Sequence, residues 1–316
     1  MDLLFNAFLL IVGFVFLVQA AKVFVTASVH IAKKLRIPTI VIGLTVVAMG
    51  TSAPEIAISV SAAVGGSSEL AIANAVGSNL FNLLFIVGLC AIIFPFSVRM
   101  KDISRDFWVS VAATAALLVL VILFSGGQIP QWASLILLVG FVAYMFTLVR
   151  FALRNKTPQD KQETPDAKPL WKSIVLMIIG IAVIIGAGQL TVMSAVEIAA
   201  FFGVSERVIG LTVISIGTSL PELVTTLIAC KKKEGEFALG FIIGSSIFNI
   251  LVVLGIAGVI IPLSVDESVL FDLAVLTLGT LLFYRLATTG KRLVRAEGAL
   301  MLVLYLGYMT WAVLST

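Results

Sequence analysis

A stretch of 53 residues occurs twice in this chain, 167 positions apart, and that duplication limits what the chain can become. The first copy runs from Gly43 to Pro95 and the second from Gly210 to Pro262 without a gap, and 20 of the 53 paired positions are identical. GLTVVAMGTSAPE returns as GLTVISIGTSLPE, and GSNLFNLLFIVG as GSSIFNILVVLG. Thr51, Ser52, Pro54 and Glu55 pair with Thr218, Ser219, Pro221 and Glu222. Gly77, Ser78, Asn82 and Gly88 pair with Gly244, Ser245, Asn249 and Gly255. Polar and small residues are kept while the apolar filler varies. That pattern points to two halves of one polar site rather than two packing modules.

The filler sets the medium. With 60% hydrophobic and 12% charged residues, the chain is not an ordinary soluble domain. Apolar segments long enough to span a bilayer lie at roughly 3–32, 38–66, 70–96, 106–125 and 130–152, then at 173–202, 206–232, 237–263, 267–287 and 295–314. Between the two sets runs a polar, proline-containing stretch of mixed charge that reads as a linker. The expected fold is an all-α integral membrane protein of about ten transmembrane helices. Residues 1–153 and 173–316 form two five-helix repeats, joined by the linker 154–172.

Positive charge gives the orientation. Of the 21 Lys and Arg residues, 19 fall in connections that share one side; the others are Arg207, on the opposite side, and Lys22, inside the first span. This predicts a multi-pass protein of the cell (inner) membrane, with both termini outside and the linker cytoplasmic. It also accounts for the net charge of +4 without nucleic acid. The first span lacks a basic n-region and reads as a retained span rather than a signal peptide. Five spans per half is an odd number, so the second copy must enter the membrane from the opposite side. An inverted repeat is the result, an architecture common among alternating-access transporters.

The polar clusters fall near mid-membrane. Ala48, Thr51, Ser52 and Glu55 share a helix face at i, i+3, i+4 and i+7, as do Ser215, Thr218, Ser219 and Glu222. Ser78 shares a face with Asn82, and Ser245 with Asn249. Pro54 and Pro221 should kink or break their helices and release the carbonyls of Gly50, Gly217 and their neighbours. A charge at mid-membrane costs about 2.5–3.5 kcal/mol on the mildest scale. Glu55 and Glu222 have no two fixed counter-charges nearby, only hydroxyl, amide and carbonyl oxygens. Two carboxylates among neutral oxygens suit Ca²⁺ and, at lower charge density, Na⁺.

The paired GTSxPE and GSxxFN motifs resemble the alpha repeats of the sodium/calcium exchangers, in the cation/calcium exchanger superfamily, and above all its compact prokaryotic members. The resemblance implies a secondary active antiporter that exchanges Ca²⁺ for Na⁺ by alternating access. The alternative is a Ca²⁺/H⁺ exchanger using the same two glutamates. It further implies that Glu55 and Glu222 ligate Ca²⁺. Thr51, Ser52, Ser78, Thr218, Ser219 and Ser245, with the carbonyls of Ala48 and Ser215, complete the cation sites, and the amides of Asn82 and Asn249 close the ring. Some members carry Asp at one or both of these last positions.

The plainer readings differ residue by residue. Gly43, Gly77, Gly88 and their mates read as helix-packing glycines. Glu69 and Glu236 read as charges at helix starts, and the Lys231–Lys233 run as a topology signal in contact with anionic lipid. A single histidine, His30, and no paired aspartates leave no catalytic set for an intramembrane hydrolase. Cys90 and Cys230 suggest neither a disulfide nor a metal site. The expected partners are Ca²⁺, Na⁺ or H⁺, and the bilayer, with no enzyme activity and no organic cofactor.

Overall fold

A computed structural model describes residues 3–97, 100–154, 169–203, 215–265, 268–289 and 292–315. In chain order the helices are α1 (Leu3–Leu35), α2 (Thr39–Thr51), α3 (Ala53–Val64), α4 (Glu69–Ile93), α5 (Met100–Leu123) and α6 (Gln131–Arg154). After the linker come α7 (Leu170–Phe201), α8 (Ser215–Thr218), α9 (Leu220–Lys231), α10 (Gly235–Ile260), α11 (Ser268–Thr289) and α12 (Arg295–Ser315). Strand is limited among the described residues to β1 (Phe96–Ser97), β2 (Gln128–Ile129), β3 (Leu263–Ser264) and β4 (Arg292–Leu293). Hydrocarbon offers the backbone no hydrogen bonds, and a helix satisfies its own.

By length and apolarity, seven described helices can cross a membrane, or eight if the bent pair α2 and α3 counts as one span. The chain is a multi-pass membrane protein. The expected seventh span, 206–232, begins in residues 204–214, outside the described residues, and α8 and α9 are its described part. Most of the linker, 155–168, also lies outside them. α12 has 21 residues, which at 1.5 Å each reaches about 30 Å.

The 167-residue offset carries into the elements. The last turn of α2, Ala48–Thr51, matches Ser215–Thr218; Ala53–Val64 matches Leu220–Lys231; Val87–Ile93 matches Leu254–Ile260; β1 matches β3. Even the irregularities repeat. α4 widens into a π-helical segment at Phe81–Ile86, and α10 at Asn249–Val253.

Packing divides the chain into two compact units, each drawing on both halves of the sequence. The first holds Met1–Thr51 and Thr147–Phe241, the second Ser52–Phe146 and Ile242–Thr316. In the first unit α1 and α7 run along each other. A Cβ on Gly13 would lie 2.6 Å from Thr191 Oγ1, and one on Gly180 3.0 Å from Phe24 Cβ. These two glycines, themselves 167 apart, allow α1 and α7 to approach closely. In the same unit a Cβ on Gly43 would meet the backbone of Phe237 at 2.6 Å and of Phe241 at 2.8 Å. Lys232 donates to the carbonyl of Lys22 at 3.0 Å and to Thr26 Oγ1, tying the turn after α9 to α1.

In the second unit the halves exchange partners. The end of α4 packs on α12, where a Cβ on Gly88 would sit 2.9 Å from the carbonyl of Gly298. In the other half Gly255 of α10 meets Leu138 of α6. The ribbons follow the same exchange. Phe96 pairs with Leu293 and Ser97 with Arg292, while Gln128 pairs with Ser264 and Ile129 with Leu263. In both the helix contacts and the ribbons, an element of one half meets an element of the other. Gly77 departs from its expected role, because no described residue lies within 4 Å of a Cβ placed there. Gly210 lies outside the described residues.

Candidate cation site

The two glutamate-bearing clusters are each built on a helix break. Ser52 stands between α2 and α3 with φ −82° and ψ 12°, and Ser219 between α8 and α9 with φ −91° and ψ 9°. Both conformations lie in the sparsely populated bridge region, where site residues often sit. The breaks come two residues before the prolines rather than at them. Pro54 and Pro221 occupy the first turns of α3 and α9, where the N–H that proline lacks would have no partner anyway. Their missing N–H is felt four residues upstream: the carbonyls of Gly50 and Gly217 cannot receive the usual helical bond.

Glu55 and Glu222 fall in the first turn of α3 and α9 and are each only 1% exposed. The positive end of the helix dipole favours an ionised carboxylate there. Each break thus presents carbonyls on one side and a carboxylate on the other. Ser-x-x-Glu at a helix start is also the signature of a capping box. Neither Ser52 nor Ser219 makes a side-chain cap hydrogen bond, so the hydroxyls are not used in that way.

The second unit holds Ser52, Glu55, Ser78, Asn82, Ser245 and Asn249, all buried. α3 packs on both α4 and α10, and Phe248, Val252 and Val253 form an apolar cluster with Ile56 beneath it. Asn74 binds Ser59 Oγ at 3.0 Å and the carbonyl of Glu55 at 3.5 Å, fixing α3 to α4. Asn82 and Asn249 stand where the helices are π-helical, a distortion common at functional sites. Ser52 Oγ, Asn82 Oδ1, Ser245 Oγ and Asn249 Oδ1 are buried with no hydrogen-bond partner among the described residues. Each such group costs about 1–3 kcal/mol, so four of them on the candidate ligands require an explanation.

The first unit holds Ala48, Thr51, Ser215, Thr218, Ser219 and Glu222. Thr51, Thr218, Ser219 and Glu222 are buried, and Ser215 begins α8. Thr51 Oγ1 donates to the carbonyl of Val47 at 3.2 Å and lies 3.5 Å from that of Ala48, leaving the Ala48 oxygen a lone pair to give. Thr226 donates to the carbonyl of Glu222 at 2.7 Å. No three His, Cys, Asp or Glu side chains gather among the described residues. The oxygens offered are therefore mostly neutral.

Two asparagines escaped the sequence reading: the half-buried Asn74, which holds α3, and the buried Asn79, which bonds to Asn249. The repeat hid both, because their mates are Phe241 and Ser246. Asp106 was also missed; it is buried, bound by Arg105 at 2.6 Å and by the Tyr144 hydroxyl at 3.2 Å, and it joins α5 to α6.

Apolar spans interrupted by buried clusters of oxygen define a class, the membrane cation transporter. The family model described as sodium/calcium exchanger protein matches residues 5–150 and 172–314, and the chain belongs to that family. A putative antiporter CaxA of Alkalimonas amylolytica is 38% identical over 309 residues, covering 94% of this chain and 95% of that protein. The sodium/calcium exchanger MaX1 of Methanosarcina acetivorans is 32% identical, over 96% of this chain and 97% of its own. The solved structure of the sodium-calcium exchanger NCX_Mj soaked with 10 mM Na⁺ superposes with a TM-score of 0.83 at 29% identity, covering 98% of this chain and 99% of that one. The family consists of transporters, so the chain is a cation/calcium antiporter by class and not an enzyme in the catalytic sense.

Proposed function

We propose that this protein exchanges Ca²⁺ for Na⁺ at a ring of oxygens contributed by both repeats. Glu55 and Glu222 supply the charge. Thr51, Ser52, Ser78, Asn82, Thr218, Ser219, Ser245 and Asn249 supply neutral oxygens, with the carbonyls of Ala48 and Ser215. The observation that carries this reading is the set of four buried oxygens on Ser52, Asn82, Ser245 and Asn249 that have no hydrogen-bond partner among the described residues. A dehydrated cation is what such oxygens suit. With Asn at 82 and 249, the ring holds at most two negative charges, which one Ca²⁺, two Na⁺ or two H⁺ would neutralise. A third Na⁺ would leave net positive charge in a low-dielectric setting. Protons do not need so many oxygens, which favours metal cations over Ca²⁺/H⁺ exchange.

The reading includes ten spans in two inverted repeats of a cell membrane protein, with both termini outside and the linker cytoplasmic. The ribbons support it. β1–β4 joins two connections that the charge bias puts inside, and β2–β3 joins two that it puts outside. In the inside pair the third connection of one half meets the fourth of the other, which favours inversion.

The test is Glu55→Gln and Glu222→Gln. Each should remain folded and inserted, since the charge removed is costly in the membrane, and each should lose Ca²⁺ exchange in proteoliposomes. Near-normal Ca²⁺ flux in either variant would refute the assignment.

A further inference from the structure

The two asparagines that close the ring are not equivalent, and the difference lies in a residue that the repeat does not conserve. Asn79 of α4 donates from Nδ2 to the backbone carbonyl of Ser246, its own repeat mate, at 3.1 Å. Asn249 donates from Nδ2 to Asn79 Oδ1 at 3.1 Å. All these residues belong to the second unit. A backbone carbonyl can only accept a hydrogen bond. It therefore requires the N–H end of the Asn79 amide, which turns Asn79 Oδ1 toward Asn249. That oxygen in turn requires the N–H end of the Asn249 amide. Asn249 Oδ1 is then left buried with no hydrogen-bond partner among the described residues. The direction of the chain is fixed by chemistry, since reversing either amide would set oxygen against oxygen.

We infer that Asn79 is a positioning residue that holds the Asn249 amide with its oxygen turned to the transported cation. This rests on the reading of Asn249 as a ligand. A cation gains nothing from an N–H, so an amide ligand that can flip presents its useful end only part of the time. Asn82 has no such holder in the matching place. Position 246 carries Ser, whose hydroxyl donates to the carbonyl of Ile242 at 3.0 Å. One half of the ring is thus oriented by a side chain that the other half lacks.

The test measures Ca²⁺ affinity of the purified, unmodified-length protein by ⁴⁵Ca²⁺ binding, with folding checked by thermal denaturation in chelator. Asn79→Ser places at 79 the residue that its mate position already carries. It should raise the Kd for Ca²⁺ by about tenfold, the lower end of what outer-shell partners contribute. In an Asn249→Asp background the same change should stay within about twofold of Asn249→Asp alone. A carboxylate offers an oxygen whichever way it turns and has no N–H to hold. An equal loss in both backgrounds would assign Asn79 to packing and overturn the inference, as would no loss in the parent. Asn249→Leu separates the two claims. If it leaves the Kd unchanged, Asn249 is not a ligand, and the inference falls with that reading. If it raises the Kd while Asn79→Ser does not, the ligand stands and the positioning role alone fails. Should Asn79→Ser not fold, a structure of the unaltered chain with Sr²⁺ decides. The ion should touch the Asn249 atom remote from Asn79; an ion that does not touch it overturns the inference.

Discussion

At the scale of single residues, Ser52 separates two accounts of the same motif. As a helix cap it would contribute about 1 kcal/mol of stability, but its hydroxyl makes no cap hydrogen bond and has no partner among the described residues. Ser52→Ala should therefore leave the melting temperature in chelator unchanged and weaken Ca²⁺ binding. A drop in melting temperature with unchanged affinity would restore the capping role. The side-chain ligand candidates were legible in the sequence because each is a polar residue kept twice in a field of varying apolar ones. The same filter concealed Asn74 and Asn79. Comparing repeats finds what two halves share, and these two act where the halves differ: Asn79 reaches the carbonyl of Ser246, a contact for which no side chain at 246 is required. Gly77 is the opposite case, kept in both copies yet facing no packing neighbour among the described residues.

At the scale of elements, the breaks were legible from Pro54 and Pro221, though two residues out of place, because a proline marks the first turn of the helix that follows. The π-helical segments at Phe81–Ile86 and Asn249–Val253 left no sequence signal. Widening one turn changes the backbone bonding pattern without changing which residues are apolar. The turn after α9 gives a prediction in water-facing chemistry. Burial raises the pKa of Glu234 above its ordinary 4.5, Lys33 opposes this, and Glu236 adds to it. A carboxyl with a raised pKa in the folded state binds its proton more tightly there than when unfolded. Stability from this group is therefore highest when both states are protonated, and it falls as pH rises through 4.5 toward the folded value. Glu234→Gln, neutral at every pH, should melt higher than the parent at pH 8 and level with it at pH 4. A difference of the same size at both values would show that the carboxyl's charge is not responsible.

At the scale of the whole molecule, a multi-pass helical chain could be read from hydropathy and the duplication from residue identities, but the division into compact units could not. Each unit takes residues from both halves, joined by contacts such as Gly88 against Gly298. Apolar filler makes those contacts, and one apolar residue reads like another in sequence. Orientation is open to a direct check: cysteines placed at Asn155 and Lys291 should label only from the cytoplasm, and one at Thr316 only from outside. Labelling of Thr316 from the same side as Asn155 would remove the inversion. The central claim is exchange itself, tested most directly by Ca²⁺ efflux from loaded proteoliposomes at fixed pH when external Na⁺ is added. The account predicts prompt efflux that depends on Na⁺ and is lost with Glu55→Gln. No response to Na⁺, with strong efflux after an acid jump at matched membrane potential, would contradict it and make the protein a Ca²⁺/H⁺ exchanger.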